Sequence, residues 1–249
     1  MIDRSGYWEN IVEQYHEETK ISCNDFHYGP LIPGDNILKL LPRDLKDLNC
    51  LEIACGGAQN SIYLAKNGAN CTAFDASAAQ ISYAEKLIKK HSANVDLKLM
   101  VMEKISFKPG SFDLIHSAYG FNFAADFDNL IANAFELLND DGILLFSVPH
   151  PLFSGEFLEL DDESGLFIKE YFDIKPEQRF DEDGKETTRS YFYSVDYISR
   201  VLAENNFLIE RICEPELCEN PPYTSKLWEE YRPQMLQFPG TLIVKAVKR

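Results

Sequence analysis

Two short segments of the chain have the residue types and spacing of a nucleoside-binding site. The first, Ala54-Cys55-Gly56-Gly57-Ala58, consists of small residues that let the backbone turn sharply and approach a ligand closely. The second is Phe74-Asp75, in which Asp75 follows Gly56 by 19 residues. A carboxylate at this distance can accept hydrogen bonds from the hydroxyls of a ribose. Either feature alone is a weak signal, and together they predict a bound nucleoside.

The residues around these glycines favour one kind of nucleoside ligand. A dinucleotide site needs Gly-x-Gly-x-x-Gly so that a pyrophosphate can reach a helix N-terminus. Counting from Gly56, the second and third positions of that pattern are Ala58 and Ser61, and Glu52 would add a negative charge near the phosphates. A zwitterionic amino acid with a sulfonium group suits the loop better. A nicotinamide-dependent dehydrogenase is the less favoured interpretation.

His150 is the candidate for proton transfer. It directly follows a predicted strand, and a neutral imidazole could take a proton from a hydroxyl or an amine. The alternative is a histidine whose hydrogen bonds fix the loop Pro149-His150-Pro151. His116 lies inside another predicted strand, where we expect it to pack or to form a hydrogen bond.

The spacing of apolar residues predicts the elements that position these groups. From residue 49 onward, short apolar strands alternate with amphipathic helices. The predicted strands cover 49–54, 70–75, 97–101, 112–117, 143–148, 207–213 and 241–247, and the helices cover 59–67, 78–90, 127–138 and 195–204. This order predicts an α/β fold, a doubly wound, seven-stranded, mostly parallel sheet with an antiparallel last strand. The glycine loop, Asp75 and His150 then meet at its carboxyl edge.

The segments outside this pattern are expected to complete a single domain over residues 1–249. An N-terminal helical cap covers 1–45, the cofactor-binding core 46–149, an aromatic-rich insertion after the fifth strand 150–193, and the C-terminal part of the sheet 194–249. Within the cap, residues 37–41 predict a short helix whose apolar side contains Ile37, Leu38, Leu40 and Leu41. Asp183-Gly184 predicts the turn of a hairpin between about 166–173 and 187–193.

Composition argues against several partners and compartments. The net charge is −16, from 24 Lys and Arg against 40 Asp and Glu, and such a surface repels nucleic acids and anionic membranes. No apolar run approaches the ~18 residues of a membrane span. The six cysteines form neither a Cys-x-x-Cys pair nor a metal-ligand pattern, which predicts reduced thiols in a cytoplasmic protein without a metal site.

The stretch Leu51–Ala58 resembles motif I of the class I S-adenosylmethionine-dependent methyltransferases, whose usual form is Glu-x-Gly-x-Gly-x-Gly. The resemblance continues through Phe74–Ser77, Gly110–Ile115 and Asp141–Phe146. It covers about residues 45–150 well and the last helix and two strands more loosely. It implies S-adenosylmethionine as the methyl donor and S-adenosylhomocysteine as the product.

The resemblance also implies roles for individual residues. Glu52 would support the glycine loop and the methionine amino group of the donor. Ala54 and Gly56 would pass close to its methionine and ribose portions. Asp75 would bind the ribose hydroxyls, and Ala76 would flank the adenine.

Three further positions are implied beside the methionine end of the donor. Ser117 and Tyr119, just past the fourth strand of the predicted sheet, would lie next to the methionine and the transferred methyl. Tyr28, in the loop His27-Tyr28-Gly29, could fold over the same end of the ligand, although an ordinary loop is an equally good interpretation.

The chain departs from the family pattern at three positions. Ala54 and Ala58 replace motif glycines, and alanine fits there unless φ must be positive. The third strand of such enzymes often ends in an acid that binds the adenine amino group, and here that position is Val101. Adenine recognition would then depend on the backbone of Met102 and on the side chain of Glu103.

The tetrapeptide Asn220-Pro221-Pro222-Tyr223 resembles the catalytic motif of methyltransferases that act on amide or adenine nitrogens. In those enzymes the motif follows the fourth strand, where this chain has Ser117-Ala118-Tyr119-Gly120. Here it follows the sixth strand, so we interpret it as a turn.

The sequence therefore predicts methyl transfer to a small-molecule acceptor and leaves the methylated atom open among oxygen, nitrogen and carbon. The alternative is a non-catalytic S-adenosylmethionine-binding sensor or partner subunit. The aromatics of the insertion would either shape an acceptor pocket or form the interface of a possible homodimer.

Overall fold

In the computed structural model of the protein, which describes residues 6–160, 163–168, 171–172, 176–180, 183–184 and 186–249, strands and helices alternate from residue 49. The described strands, in chain order, are β1 Thr19–Ile21, β2 Asn49–Ile53, β3 Asn70–Asp75, β4 Val95–Leu99, β5 Phe112–Ala118, β6 Leu138–Pro149, β7 Glu156–Leu160, β8 Glu163–Phe167, β9 Glu177–Phe180, β10 Glu186–Ser190, β11 Phe207–Cys213, β12 Tyr223–Ser225 and β13 Thr241–Lys248. The described α-helices are α1 Gly6–Glu18, α2 Asp35–Leu38, α3 Gln59–Lys66, α4 Ala78–His91, α5 Phe127–Leu137, α6 Val195–Glu204, α7 Lys226–Glu230 and α8 Arg232–Met235.

The main sheet has seven strands in the order β11-β13-β6-β5-β2-β3-β4. The strands from β2 to β6 are parallel to one another, and β13 runs antiparallel to both of its neighbours. This confirms the predicted fold class. The strand order reverses between β2 and β5, and in open α/β sheets ligands bind in the crevice beyond the carboxyl ends of such strands.

Both faces of the sheet are covered, which explains why its strands are continuous apolar runs. Consecutive residues of a strand point to opposite faces. Ile115 and Leu144 pack in the core beneath α5 and α6, whereas Leu114 and Leu145 pack in the core on the other face, against α3 and the N-terminal loop. All four side chains are essentially fully buried, each stabilising the fold by about 1.5–3 kcal/mol.

Polar caps fix the start of α4 and connect it to α1. The Ser77 hydroxyl accepts a hydrogen bond from the Gln80 N–H (3.1 Å), which is one half of a capping box. The Gln80 side chain does not complete the box, because its Oε1 lies 3.0 Å from Nε2 of His16 in α1. The carboxylate of Glu9, also in α1, accepts hydrogen bonds from the N–H groups of Ala78 (2.6 Å) and Ala79 (3.1 Å).

The predicted apolar helix near residue 37 is only one turn long. Ile37 in α2 is 65% exposed, so it does not belong to an apolar side. Lys39 ends the helix with a left-handed conformation (φ +54°). Leu40 and Leu41 are buried after the helix, where their N–H groups donate to Oδ1 of Asp35. The local hydrogen-bonding of this carboxylate overrides the helical spacing.

The insertion contains two hairpins, β7–β8 and β9–β10. Asp183-Gly184 lies in the β9–β10 connection as predicted, with Gly184 at φ +76°. The predicted partner strand was wrong: 177–180 pairs with β10, and Phe167 of the segment predicted for that role pairs with Glu156 in β7. Residues 169, 170 and 173 of that prediction lie outside the described residues.

The longest described helix, α4, has 14 residues. Among the described residues, no helix is both long and apolar enough to cross a membrane.

Candidate functional site

A cavity of about 1500 Å³ opens at the carboxyl ends of β2, β3 and β5. Its "glycine-loop half" is lined by residues at or just beyond the carboxyl ends of β2, β3 and β4, among them Glu52, Ala54, Gly56, Asp75, Ala76, Met102 and Glu103. Its "aromatic half" is lined by rings from distant segments, Trp8, Tyr15, Tyr119, Phe123, Phe153, Tyr223, Trp228 and Tyr231.

The glycine loop has a left-handed backbone at alternating positions. The φ angles of Ala54, Gly56 and Ala58 are +56°, +51° and +57°. Alanine therefore occupies the conformation that favours glycine, at a cost of roughly 1–2 kcal/mol per residue. The loop is held in this shape by β3, because the Cys55 N–H donates to the Phe74 carbonyl (2.9 Å).

The Asp75 carboxylate fixes the loop from the end of β3. Its Oδ2 accepts a hydrogen bond from the Gly56 N–H (2.9 Å), and its Oδ1 accepts one from the Ser77 N–H (3.0 Å). Burial raises the pKa of this carboxyl, and its hydrogen bonds oppose the shift. Each carboxylate oxygen can accept more than one hydrogen bond, so acceptor capacity remains for ribose hydroxyls.

Glu52 is a buried carboxyl that reaches the same half of the cavity. Its Oε2 accepts hydrogen bonds from the Ser61 N–H (3.0 Å) and from the Ser61 hydroxyl. Burial, with a smaller contribution from the nearby Asp75, raises the pKa of Glu52 to about 7, although the hydrogen bonds from Ser61 lower it. Ser61 occupies the position of the third glycine in a dinucleotide-binding motif. Its two hydrogen bonds orient the Glu52 carboxylate.

The far end of the glycine-loop half is bordered by Ala76 and by the single 3₁₀ turn Met102–Lys104. Val101 precedes this turn and also lines the cavity. This arrangement fits an adenine bound without a strand-end acid. The roles of Met102 and Glu103 in its recognition stay predictions.

Ser117 does not line the cavity. Its hydroxyl donates to the Ile53 carbonyl (2.8 Å), tying the end of β5 to the end of β2. The two strand ends and Gly120 are tightly packed, since a Cβ on Gly120 would lie 2.4 Å from Ser117 Oγ and 2.7 Å from Ala54 Cβ. The predicted contact of Ser117 with the methionine portion is corrected to a support role.

Tyr28 also lies away from the cavity. Its buried hydroxyl donates to Oδ1 of Asp35 (2.6 Å), and its ring packs against Phe26 in the core. The preceding residue, His27, lines the cavity instead. The predicted contact of Tyr28 with the ligand is corrected, because its side chain points into the core and that of His27 points toward the cavity.

His150 is buried and both of its ring nitrogens are bonded. Nδ1 accepts a hydrogen bond from the Leu152 N–H (3.1 Å), so Nε2 carries the proton that points to Oε1 of Glu214 (2.7 Å). The ring does not line the cavity, and burial lowers its pKa despite Glu214. The catalytic assignment is corrected: His150 fixes the loop after β6. His116 lies in the core beside Phe26.

Tyr119 lines the aromatic half just past the end of β5. Its backbone is left-handed (φ +60°), and its hydroxyl shares a hydrogen bond of 2.7 Å with Thr241 Oγ1. Its ring meets Trp228 edge to face, with centroids 5.7 Å apart. The predicted proximity of Tyr119 to the transferred methyl stays a prediction.

Most of the aromatic half was missed by sequence reasoning. Helix α1 contributes Trp8 and Tyr15, and the segment that contains α7 and α8 contributes Trp228, Tyr231 and Gln234. The long connection between β11 and β13 was the sequence feature that could have indicated α7 and α8. Loops of that length without secondary structure are uncommon in compact domains.

The tetrapeptide at 220–223 leads into β12. The Pro222 carbonyl accepts a hydrogen bond from the Ser22 N–H, and Tyr223 begins β12, which pairs with β1. Only Tyr223 of the four residues lines the main cavity, where its hydroxyl lies 2.8 Å from that of Tyr15. This placement fits the interpretation as a turn.

Comparison with known proteins supports the same fold and family. The profile of the methyltransferase-domain family matches residues 26–212. An uncharacterised protein of Haemophilus influenzae is 27% identical over 239 residues, covering 92% of each chain. The ubiquinone biosynthesis O-methyltransferase of Sinorhizobium fredii is 28% identical over 103 residues, which is 41% of this chain and 42% of that protein.

Among solved structures, an S-adenosylmethionine-dependent methyltransferase of Mesorhizobium loti has a TM-score of 0.68 at 18% identity, covering 86% of this chain and 96% of that one. The likeness concerns the fold, and the family profile spans well over half of the sequence. The chain thus belongs to the methyltransferase-domain family and has the class I fold of the S-adenosylmethionine-dependent methyltransferases.

Proposed function

We propose that this methyltransferase transfers the methyl group of S-adenosylmethionine to a small, uncharged acceptor held in the aromatic half of the cavity. The observation behind the proposal is that one cavity of about 1500 Å³ includes both Asp75, at the expected ribose position, and the ring cluster around Trp228. The donor supplies an electrophilic methyl on a sulfonium, and the leaving thioether needs no proton. The protein's main contribution is alignment, worth roughly 7–11 kcal/mol in well-oriented systems.

The glycine-loop half fits the donor group by group. Asp75 is fixed by two backbone N–H groups and would accept hydrogen bonds from the ribose hydroxyls. Glu52 would face the methionine ammonium, and that cation would favour its ionised form. Ala76, Met102 and Glu103 would border the adenine.

The charges around the aromatic half disfavour an anionic acceptor. Arg179 is the arginine that lines the cavity within the described residues, and it lies over the Tyr7 ring and beside Glu177 (3.6 Å). Glu156 and Glu230 line the same half. The similarity to ubiquinone biosynthesis O-methyltransferases supports an oxygen as the methylated atom.

The donor site is tested by calorimetry with S-adenosylmethionine on the wild type and on Asp75→Ala. Hydrogen bonds to a charged group contribute about 1.5–3 kcal/mol, so the affinity should fall roughly ten- to hundredfold. Asp140→Ala, at an exposed position in β6, is the matched control and should bind like the wild type. Unchanged affinity in a folded Asp75→Ala protein would remove Asp75 from the site.

Turnover is tested by the release of S-adenosylhomocysteine with a panel of neutral, cationic and anionic small molecules. We expect product with neutral members of the panel. A protein that binds S-adenosylmethionine and releases no product with any member would instead fit a sensor or a partner subunit.

The cellular setting is inferred from the cysteines and the surface. All six cysteines are free and four are buried, which supports a reducing compartment such as the cytoplasm. Phe167, Phe172 and Phe180 are exposed on the insertion, so a homodimer stays a prediction that analytical ultracentrifugation tests.

A further inference from the structure

A second cavity, of about 490 Å³, lies next to the glycine-loop half of the main one. It is bordered by one face of α4, by the segment 19–24 that follows α1, and by the residues around Pro222. Its volume is within the range of about 300–1,000 Å³ that is usual for small-molecule sites. We call it the basic pocket, after Lys20, Lys90 and His91, which line it.

The basic pocket collects positive charge in a chain whose net charge is −16. No aspartate or glutamate is among the described residues that line it. Lys66 lies beside it, because its Nζ donates to Oδ1 of the lining residue Asn24 (3.1 Å). Within the described part of the chain, no carboxylate forms an ion pair with Lys20, Lys66 or Lys90. These ammonium groups are therefore available to an anion from solution.

Two neighbouring titratable groups show that these cations face one shared space. Partial burial lowers the pKa of His91, and the charges of Lys66 and Lys90 lower it further. Burial raises the pKa of the Cys23 thiol to about 11, although the same two lysines oppose this shift. Like charges in this arrangement repel one another, and a bound anion would offset the repulsion.

Neutral groups complete the basic pocket for an oxyanion. The Ser22 hydroxyl accepts a hydrogen bond from the Asn24 N–H (3.0 Å), so its own proton can be donated to a ligand. Leu87 of α4 and Pro222 provide an apolar wall for a carbon skeleton. Carboxylates and phosphates accept charge-assisted hydrogen bonds from such groups, which are roughly twice as strong as neutral ones.

One layer of side chains lines both cavities and forms a partition between them: His16, Ile21 and Gln59. The Gln59 side chain packs against the glycine loop, since a Cβ on Gly57 would lie 2.6 Å from its Nε2. His16 reaches the same loop through Gln80, whose Oε1 lies 3.0 Å from His16 Nε2 and 3.8 Å from the site of a Cβ on Gly56. A ligand in the basic pocket would therefore touch side chains that also support the donor site.

We propose that the basic pocket binds a small organic oxyanion, with two or more negative charges on carboxylate or phosphate groups, and that this anion favours the donor over the product. The second part rests on the proposed function. S-adenosylmethionine carries one net positive charge, from its sulfonium, ammonium and carboxylate, whereas S-adenosylhomocysteine is neutral overall. An anion behind the partition attracts the donor more than the product, so it promotes their exchange after turnover.

The site is tested by calorimetry on the full chain with inorganic phosphate and malonate at constant ionic strength. The wild type should bind at least one of them with a Kd of about 1 mM or below. Replacing both lysines that line the pocket, Lys20→Gln with Lys90→Gln, should weaken this binding about tenfold or more. The matched control, Lys86→Gln with Lys89→Gln, removes two exposed charges of α4 outside the pocket and should bind as the wild type does.

The two probes distinguish the sources of the anion. Tighter binding of phosphate would assign a phosphorylated ligand, and tighter binding of malonate would assign a dicarboxylate. Saturable binding of neither anion, or equal weakening of the binding by both double variants, would overturn the site.

A second measurement locates the anion without the lysine variants. In wild-type protein labelled with ¹⁵N-histidine, the bound anion should shift the imidazole signals of His91, which His91→Gln assigns. The signals of His150, which does not line the basic pocket, should stay unchanged. Anion binding that leaves the His91 signals unchanged would overturn the proposal.

The effect on the donor is tested by measuring the affinities for S-adenosylmethionine and S-adenosylhomocysteine with and without saturating anion. Their ratio should shift about threefold toward the donor, a small factor because charges interact weakly across a solvated partition. The Lys20→Gln, Lys90→Gln protein should show a smaller shift at the same anion concentration. An unchanged ratio in the wild type would overturn the preference for the donor. A wild type that does not bind S-adenosylmethionine would instead overturn the proposed function.

Discussion

The two halves of the cavity are built in different ways. The glycine-loop half comes from short stretches next to consecutive strands, and backbone hydrogen bonds such as Gly56 N–H to Asp75 fix its shape. The aromatic half is assembled from α1, the insertion and the α7–α8 segment, and side-chain rings fix its shape. The shape of the glycine-loop half is therefore determined by local sequence, whereas that of the aromatic half depends on which distant segments pack together.

The halves also differ in their buried polar groups. The glycine-loop half contains two carboxyls, the buried Glu52 and the half-buried Asp75, and partial or full loss of solvent raises the pKa of each. The aromatic half instead contains neutral polar atoms without partners among the described residues, Nδ1 of His27 and Nε2 of Gln234. The first half suits the charges of a sulfonium amino acid, and the second suits an uncharged acceptor.

Glu52→Gln should give the largest effect, and it separates stability from function. The carboxyl loses its proton at its ordinary value of 4.5 in the unfolded chain and at about 7 in the folded chain. Its stabilising contribution is therefore present below about pH 4.5 and is lost as the pH rises to about 7. At pH 8 the ionised Glu52 lowers the free energy of unfolding by roughly 3 kcal/mol. Chemical denaturation should show that the neutral glutamine restores most of this free energy.

The same variant should bind S-adenosylmethionine about tenfold more weakly at pH 8, because the charge facing the ammonium is gone. The wild-type affinity should rise as the pH increases through about 7. Glu136→Gln, exposed on α5, is the control for both measurements. A Glu52→Gln protein with lower stability at pH 8 would contradict the assignment of Glu52 as a destabilising buried carboxyl.

Trp228→Ala tests the independence of the aromatic half. The Trp228 ring contacts those of Tyr119, Phe153 and Tyr231, with centroids 5.5–5.8 Å apart. Its removal should raise the KM for the acceptor roughly tenfold, about 1.4 kcal/mol, and leave S-adenosylmethionine affinity unchanged. Steady-state kinetics and calorimetry measure the two quantities. Equal losses in both would mean that the halves are not independent.

His150→Gln tests the difference between a supporting histidine and one that contacts the acceptor. Its hydrogen-bond partner, Glu214, is half exposed, so the substitution should lower the free energy of unfolding by only about 1–2 kcal/mol. The expected fall in Tm is roughly 2–6 °C. Turnover at a temperature well below Tm should stay at the wild-type level. A large fall in kcat with unchanged Tm would restore His150 as a catalytic candidate.

Ala58→Gly should give the smallest effect. Relief of the left-handed backbone, roughly 1–2 kcal/mol, is offset by the lost methyl (about 0.8 kcal/mol) and the added chain entropy (about 0.5–1 kcal/mol). The net change in unfolding free energy should lie within about 0.5 kcal/mol of zero.

Two further variants sharpen this result. Ala134 lies in the interior of α5, so Ala134→Gly does not relieve a left-handed backbone. It should lower the free energy of unfolding by about 1–2 kcal/mol. Ala58→Val should cost about 2 kcal/mol or more, because a branched side chain is strained at positive φ. Equal costs for the two glycine variants would contradict the strain assigned to Ala58.

The sequence predicted the sheet and the glycine-loop half because both depend on local patterns. Apolar runs marked every strand of the main sheet, and the spacing between Gly56 and Asp75 predicted that the two lie together at its carboxyl edge. The hydrogen bond between them was not predicted. The positive φ of Ala54 and Ala58 was not predicted, since alanine gives no local sign of that conformation.

The aromatic half was not predictable in the same way. The hydroxyls of Tyr15 and Tyr223 meet across 208 residues of sequence, and no pattern in either segment points to the other. The choice between His27 and Tyr28 depends on which side of one loop faces the core. His150 has the expected position after a strand, yet Glu214, 64 residues away, determines that its ring supports the loop.

The carboxylate of Glu9 has a consequence for ligand selectivity. The first N–H groups of a helix form an anion site that nucleotide-binding proteins commonly use for phosphate. In this protein Glu9 already accepts hydrogen bonds from the N–H groups of Ala78 and Ala79 at the start of α4. An anion that approached the start of α4 would have to displace this carboxylate and would meet the Asp75 carboxylate nearby. The chain thus fills this helix start with its own side chain and closes it to phosphate groups.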